Sequence, residues 1–262
     1  MSRGEEMWLG RKCYICERLV GRRQNSHIMQ SDKVKKNIIQ VQMGETKVLL
    51  HTCCAPCSSA IIEAMMQNGI TPVIYYCNPN IYPQEEYEIR KDECTRYAQA
   101  LGLEIVDADY DHENWLVAMR GLEGEPERGG RCLKCFKLRL QRTAQYARQR
   151  GIKVITTTLA SSRWKSLDQI NEAGQWACDT LAGMRESMQA HVGDDASDGD
   201  RQVGNIIPPE DRQVIWWDQN WRKGGLQERR LQIIKEYDFY NQLYCGCEFS
   251  MRAQESQAEG EL

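Results

Sequence analysis

Four short apolar runs punctuate the middle of the sequence: KVLLH (Lys47–His51), TPVIYY (Thr71–Tyr76), LEIV (Leu103–Val106) and KVITTT (Lys153–Thr158). The segments between them carry helical spacing. SSAIIEAMMQ (Ser58–Gln67) stops at Asn68-Gly69, and a long helix from Gln84 to Leu101 is stopped by Gly102. Further helices are expected over Arg131–Arg150, Ser166–Met184 and Gly225–Tyr237, with a short strand at Ile215. Short strands alternating with helices permit few architectures, because parallel strands need long crossovers and those crossovers are right-handed. The expectation is an α/β fold: a parallel sheet in a three-layer domain, with a C-terminal helical segment. In such sheets ligands bind at the carboxyl ends of the strands, near the switch in strand order.

The chain has 262 residues, 41% apolar and 27% charged, with a formal net charge of −3. Residues 1–45 are polar and read as an N-terminal extension carrying a CxxC, Cys13 and Cys16. Residues 46–250 hold the pattern of a single domain, interrupted at about 186–212 by an acidic stretch (GDDASDGD, Gly193–Asp200) that reads as a mobile insertion. Residues 251–262 read as a disordered tail. No run approaches the roughly 18 to 20 apolar residues of a membrane span, and the first residues lack a signal segment. A soluble, cytoplasmic protein with no membrane partner is expected.

Twelve cysteines are several times ordinary usage. Disulfide scaffolds of that density are usually much smaller and secreted, so clustered metal ligands or redox thiols are the better expectation. Cys53, Cys54 and Cys57, in HTCCAPCS, follow the first strand; Cys132 and Cys135, in GRCLKCF, open a helix; Cys245 and Cys247, in YCGCE, follow the last helix. Convergence would put seven sulfurs around one cleft. Thiolates suit soft metals, and a CxxC pair supplies two of the four ligands of a 4Fe–4S cluster. Helix starts at Ser58 and Cys132 would lower thiol pKa values. Adjacent Cys53 and Cys54 argue against structural zinc, whose ligand pairs usually stand two to four residues apart.

Cys245-Gly-Cys247 can ligate metal or close a strained, labile disulfide, and the sequence leaves both open. Cys77, at the end of the second strand, reads as a buried hydrophobe or a neighbour of the site. Cys94 and Cys178 read as core residues, and His27 as a solvated side chain.

The motifs CCAPCS, YCNPNIYP (Tyr76–Pro83), GRCLKCF, TTTL (Thr156–Leu159) and YCGC, in that order over roughly residues 47–250, resemble the QueH-type epoxyqueuosine reductases. The resemblance implies the HUP nucleotide-hydrolase fold, related to the Rossmann fold. It implies an oxidoreductase that reduces epoxyqueuosine to queuosine at the wobble position of tRNA, the final step of queuosine biosynthesis. It further implies a 4Fe–4S cluster held by Cys53, Cys54, Cys132 and Cys135, and a redox-active, catalytic pair at Cys245 and Cys247. In some members a second iron is implied, for which Cys57 is the candidate ligand. The implied partners are the anticodon loop of queuosine-family tRNAs and an external electron-donor protein.

Removing an epoxide oxygen as water takes two electrons and two protons. No GxGxxG follows a strand, so a tightly held nicotinamide is not indicated. Candidate proton donors are Asp109, Asp111, His112 and Tyr82. The acidic balance does not exclude RNA, because a local basic face suffices. Candidates are Arg128, Arg131, Lys134, Lys137, Arg139 and Arg142, with Arg163, Trp164 and Lys165. Tyr82, Trp164 and Trp221 are candidate platforms for unpaired bases. Rival readings are a zinc-stabilised RNA-binding module, an ATP-dependent tRNA-modifying enzyme of the same fold and a thiol–disulfide oxidoreductase. ATP use is disfavoured because the turn after the first strand is CCAPCS, without the glycines that cradle phosphate.

Overall fold

The computed structural model describes residues 44–189, 213–242 and 244–251. These residues fall in one compact unit, Ile38–Leu262. The expectations for residues 1–43, for 190–212 of the insertion and for 252–262 lie outside the described residues, Cys13, Cys16 and His27 among them.

The elements run β1 (Lys47–Thr52), α1 (Ala55–Gln67), β2 (Thr71–Tyr76), α2 (Gln84–Ala100), β3 (Ile105–Asp107) and α3 (His112–Met119). They continue with α4 (Gly130–Gln149), β4 (Val154–Thr157), α5 (Leu167–Gln189), β5 (Ile215–Trp216) and α6 (Leu226–Tyr237). A 3-10 turn, Thr158–Ser161, joins β4 to α5. The sheet is parallel in the order β3-β2-β1-β4-β5. Leu49 of β1 pairs with Val73 on one side and Ile155 on the other. The chain moves outward from β1 through β2 and β3, then returns to start β4 on the opposite side of β1. That reversal is the topological switch, and it lies between β1 and β4 at their carboxyl ends.

Helices cover both faces. α1 packs on α2 and α6, while α4 packs on α5 and α3. This sandwich explains why Val48, Leu49 and Leu50 of β1 are fully buried: a central parallel strand has no solvent face. α5 approaches β5 so closely that a Cβ on Gly174 would stand 2.2 Å from the Trp216 ring, so glycine is required there by packing.

Four elements differ from the sequence expectation, one of them α5, which runs on to Gln189 instead of stopping at Met184 and so enters the stretch read as an insertion. α1 begins at Ala55 rather than Ser58, because Pro56 stands in its first turn, where a missing N–H is no loss. Cys57 therefore lies inside the helix rather than before it. β3 is Ile105–Asp107, which starts two residues later than LEIV and ends one later. The unexpected helix is α3, which buries Trp115 and Met119, four residues apart on one face. Among the described residues no helix is long and apolar enough to cross a membrane.

Candidate redox and metal centre

β1 ends at Thr52, and the next residues carry the first sulfurs to the sheet edge. Cys54 is the N-cap of α1, with extended backbone at φ −170° and no side-chain cap. The sulfurs of Cys53, Cys54 and Cys57 all lie within 4.8 Å of one another. Cys53 and Cys54 are 3.9 Å apart at Sγ. A tetrahedral ion bonded to sulfur at about 2.3 Å sets its ligands about 3.8 Å apart, so this donor set fits one soft metal ion. The Cys53 N–H donates to Thr158 Oγ1 at 3.2 Å, and Cys53 Sγ is 3.4 Å from the same hydroxyl. From the far end of the chain, Gln242 Nε2 donates to Cys54 Sγ at 3.0 Å.

These three thiols share protons unequally. Hydrogen bonds from Cys54 and Cys57 hold the Cys53 thiol well below its ordinary pKa. Burial pushes Cys54 well up, and donation to Cys53 pushes Cys57 up to about 12. One thiolate with two thiols beside it is a site from which a cation can displace the remaining protons.

Cys132 and Cys135 occupy the first turns of α4. Cys132 Sγ accepts from the Arg128 N–H at 3.3 Å, and buried Cys135 Sγ accepts from Trp115 Nε1 at 3.3 Å. Burial raises both thiols, against the N–H bonds that lower them. They line a small cavity of about 50 Å³ together with Cys245 and Cys247. Burial also pushes Cys247 up to about 12. Cys245 and Cys247 are free thiols in the structure, the first exposed and the second buried.

The CxC loop is held by backbone. Cys247 bridges to Ile81, and the Tyr82 N–H donates to Gly246 O at 2.8 Å. Gly246 has φ +101°, and a Cβ there would stand 2.9 Å from Ile81 Cγ1. Arg90, buried and paired with Glu86 at 2.6 Å, donates to Cys245 O and Tyr244 O at 3.4 and 3.3 Å. Sequence reasoning missed Arg90, because nothing local links a residue in the middle of α2 to a loop 155 positions later.

A larger cleft of about 990 Å³ adjoins the small cavity and is lined by Cys53, Cys57 and Cys245. Cys245, Asn80, Arg139, Trp164 and Lys165 line both. The three cysteine groups expected at the sheet edge thus open onto two adjoining cavities. Cys132 and Cys135 do not join the 4.8 Å group of Cys53, Cys54 and Cys57. Cys94 and Cys178 are buried as expected, and Cys77 is a buried thiol whose carbonyl anchors neighbours.

One further residue, His51, was not singled out from sequence. His51 is fully buried; its Nε2–H donates to Cys77 O at 3.0 Å, so Nδ1 accepts from Thr157 Oγ1 at 2.7 Å. Burial first, then the Arg139 charge, lowers its pKa to about 3, so the ring is neutral. Arg139 donates to Cys77 O at 3.1 Å and to Asn78 Oδ1, while Asn78 Nδ2 donates to Thr52 O at 2.9 Å. These bonds tie the ends of β1, β2 and β4 together immediately before Cys53. Lys165 is opposed by burial, but the sulfurs of Cys245, Cys53 and Cys57 outweigh that and keep its ammonium charged.

Other candidates are used structurally. Asp111 pairs with Arg142 at 3.4 Å, and His112 Nδ1 donates to Pro79 O at 2.7 Å. Neither these nor Asp109 and Tyr82 line the two cavities, where Glu127 is the acid present. Among the basic candidates, Arg131 is buried and donates to Glu123 O and Glu125 O, Arg139 is buried, and Lys137 pairs with Glu172. Lys134 is exposed. Trp221 cannot serve as a base platform: it is 1% exposed and packs edge-on against Trp217. Trp164, at 66% exposure, lines both cavities.

A family profile described as "Epoxyqueuosine reductase QueH" matches residues 48–191 and 198–253. The chain is 42% identical to the epoxyqueuosine reductase QueH of Histophilus somni over 214 residues, covering 82% of this chain and 76% of the relative. It is 42% identical to that of Haemophilus influenzae over 82% of this chain and 75% of the relative. For the protein of Acinetobacter baylyi the figures are 40% identity, 79% and 81%. The profile spans the sheet-edge cysteines and the CxC loop together, and on that match the chain belongs to the epoxyqueuosine reductase QueH family.

Proposed function

We propose that this protein reduces epoxyqueuosine to queuosine at the wobble position of tRNA, the final step of queuosine biosynthesis, in the cytoplasm. The observation that carries this reading is the convergence of six cysteines on two adjoining cavities at the switch point of the sheet, with Cys54 grouped behind Cys53 and Cys57, in a chain of this family. Two electrons from an external donor protein and two protons convert the epoxide to an alkene and water.

The cofactor in this reading is a 4Fe–4S cluster on Cys53, Cys54, Cys132 and Cys135, with Cys57 available to a second iron. Such a centre supplies single electrons. The thiol-rich donor set fits iron and excludes hard cations. A second ligand set is favoured by one measurement: Cys53, Cys54 and Cys57 already group within 4.8 Å without Cys132 and Cys135.

The chain's own residues bind and orient the substrate. Asn80 Oδ1 is buried without a partner and lines both cavities, offering an acceptor to a base N–H. Lys165 presents positive charge in the cleft beside Cys245, where charge develops on an oxygen as its carbon bond breaks. Cys245 and Cys247 act as the redox pair, with exposed Cys245 facing the cleft and Cys247 buried behind it. The test is anaerobic purification with iron and sulfide analysis, followed by nucleoside mass spectrometry of epoxyqueuosine-containing tRNA after reduction. Zinc without sulfide, or no conversion by iron-loaded protein, overturns the reading.

A further inference from the structure

Three guanidinium groups in the large cleft have no carboxylate partner among the described residues: Arg163, Arg222 and Arg230. The other two are committed inside the protein, Arg90 to Glu86 and Arg139 to Cys77 O and Asn78 Oδ1. Glu127 is the one carboxylate among the lining residues, so this wall carries a surplus of positive charge in a protein whose net charge is −3.

Each of the three arises from a different element and is held in place. Arg222, in the loop after β5, donates from Nη2 to Lys165 O at 2.7 Å, while its buried Nε has no acceptor. Arg230, on α6, donates from Nε to Pro56 O at 2.8 Å. Arg163, in the loop after β4, lies over the exposed Trp164 ring at 4.9 Å. A single backbone bond fixes the direction of an arginine fork and leaves its other N–H groups to an outside acceptor. A buried donor without a partner is costly, so the Nε of Arg222, which has no acceptor among the described residues, favours an anionic acceptor at this fork.

We propose that Arg163, Arg222 and Arg230 form a phosphodiester-binding subsite, which grips the RNA backbone flanking the nucleotide in the cleft. The proposal rests on the tRNA-substrate reading above and adds to it a location for the backbone. Planar arginine forks match phosphate oxygens bidentately, and forks from three separate elements can fix both the position and the direction of a strand. Trp164, at the same rim, then stacks on an adjoining unpaired base. This moves the RNA-facing surface away from α4, whose Arg131, Lys137, Arg139 and Arg142 are engaged within the protein.

The experiment measures equilibrium binding of epoxyqueuosine-containing tRNA to the anaerobically purified, full-length protein across a salt series. The variants are Arg222→Gln, Arg230→Gln and the double substitution, with Arg222→Lys/Arg230→Lys as the charge-preserving partner. Each Gln substitution is expected to weaken binding about tenfold. Each should also reduce the slope of log affinity against log salt by about 0.7, the value for one lost single-strand phosphate contact. The double Lys variant is expected to keep the wild-type slope while losing affinity. Iron per chain is expected to stay at the wild-type level. Unchanged affinity and slope overturn the proposal. Iron loss in the Gln variants also overturns it, because the charges would then serve the sulfur centre. Failure of wild-type protein to deoxygenate tRNA that it binds would sink the reductase reading, while the salt slopes still judge the subsite.

Discussion

The backbone N–H of Arg128 points at the sulfur of Cys132, 3.3 Å away, from a residue held at φ +66°. The guanidinium of the same residue donates to Trp164 O and Arg163 O at 2.9 and 3.0 Å, and Gln169 Nε2 donates to its carbonyl at 2.8 Å. Arg128 is therefore a clasp between the cysteine-bearing helix and the cleft rim. Arg128→Ala keeps the left-handed backbone and loses the clasp, whereas Arg128→Gly loses the clasp but relieves the backbone. Glycine is expected to be more stable than alanine here by about 1 kcal/mol. Denaturant unfolding of the two variants checks this ordering.

Losing a thiolate from the first group should empty the centre. Cys53→Ser is expected to lose most of its iron, because Cys53 is the thiolate that the other two sulfurs support. Cys132→Ser discriminates between the ligand sets: iron loss supports shared ligation, and full iron content favours the Cys53, Cys54 and Cys57 group. Iron and sulfide per chain under anaerobic conditions give the answer.

Cys245→Ser and Cys247→Ser are expected to abolish epoxide reduction while leaving most iron and the fold in place. Serine keeps the size of the side chain but neither forms a disulfide nor binds soft metal well. Parallel measurement of turnover and visible absorbance separates a redox pair from a ligand pair.

Gly246→Ala meets two obstacles, the φ of +101° and the Ile81 and Arg90 atoms 2.9 and 3.0 Å from a Cβ. A cost of about 1–3 kcal/mol is expected. The displaced loop should also slow turnover more than it lowers iron content, which stopped-time assays and metal analysis can compare.

His51 makes the metal-free fold sensitive to acid. Its ordinary pKa of 6.5 falls to about 3 in the folded protein, so below 6.5 the unfolded chain binds a proton that the folded chain refuses. The stabilisation is complete above pH 6.5 and is lost as pH falls toward 3, with a size on the order of a few kcal/mol. His51→Gln in metal-free protein is expected to show a shallower loss of unfolding free energy between pH 7 and 4 than the wild type.

The strands carrying the centre were legible because a buried parallel strand is continuously apolar. KVLLH and TPVIYY become β1 and β2 with little shift, and CCAPCS had to fall at the sheet edge once β1 was recognised. α3 was not legible, since HENWLVAM is short and its two buried residues, Trp115 and Met119, give only one turn of period. Trp221 and Arg131 were misread as surface groups because their partners, Trp217 and the 122–125 loop, are close in sequence but lie in irregular segments whose inward turn no periodicity announces.

The sequence alone determined the α/β class, the position of each cysteine group relative to a strand end or helix start, and the family. Those properties depend on local spacing, which the chain carries within ten or twenty residues. Only the tertiary structure decided which sulfurs meet, which arginines lack a carboxylate partner among the described residues, and that His51 is neutral. Thr158 reaches Cys53 across 105 positions and Gln242 reaches Cys54 across 188. Contacts of that separation are set by how helices pack on the two sheet faces, and burial, hydrogen bonds and neighbouring charge then fix the protonation of the groups they enclose.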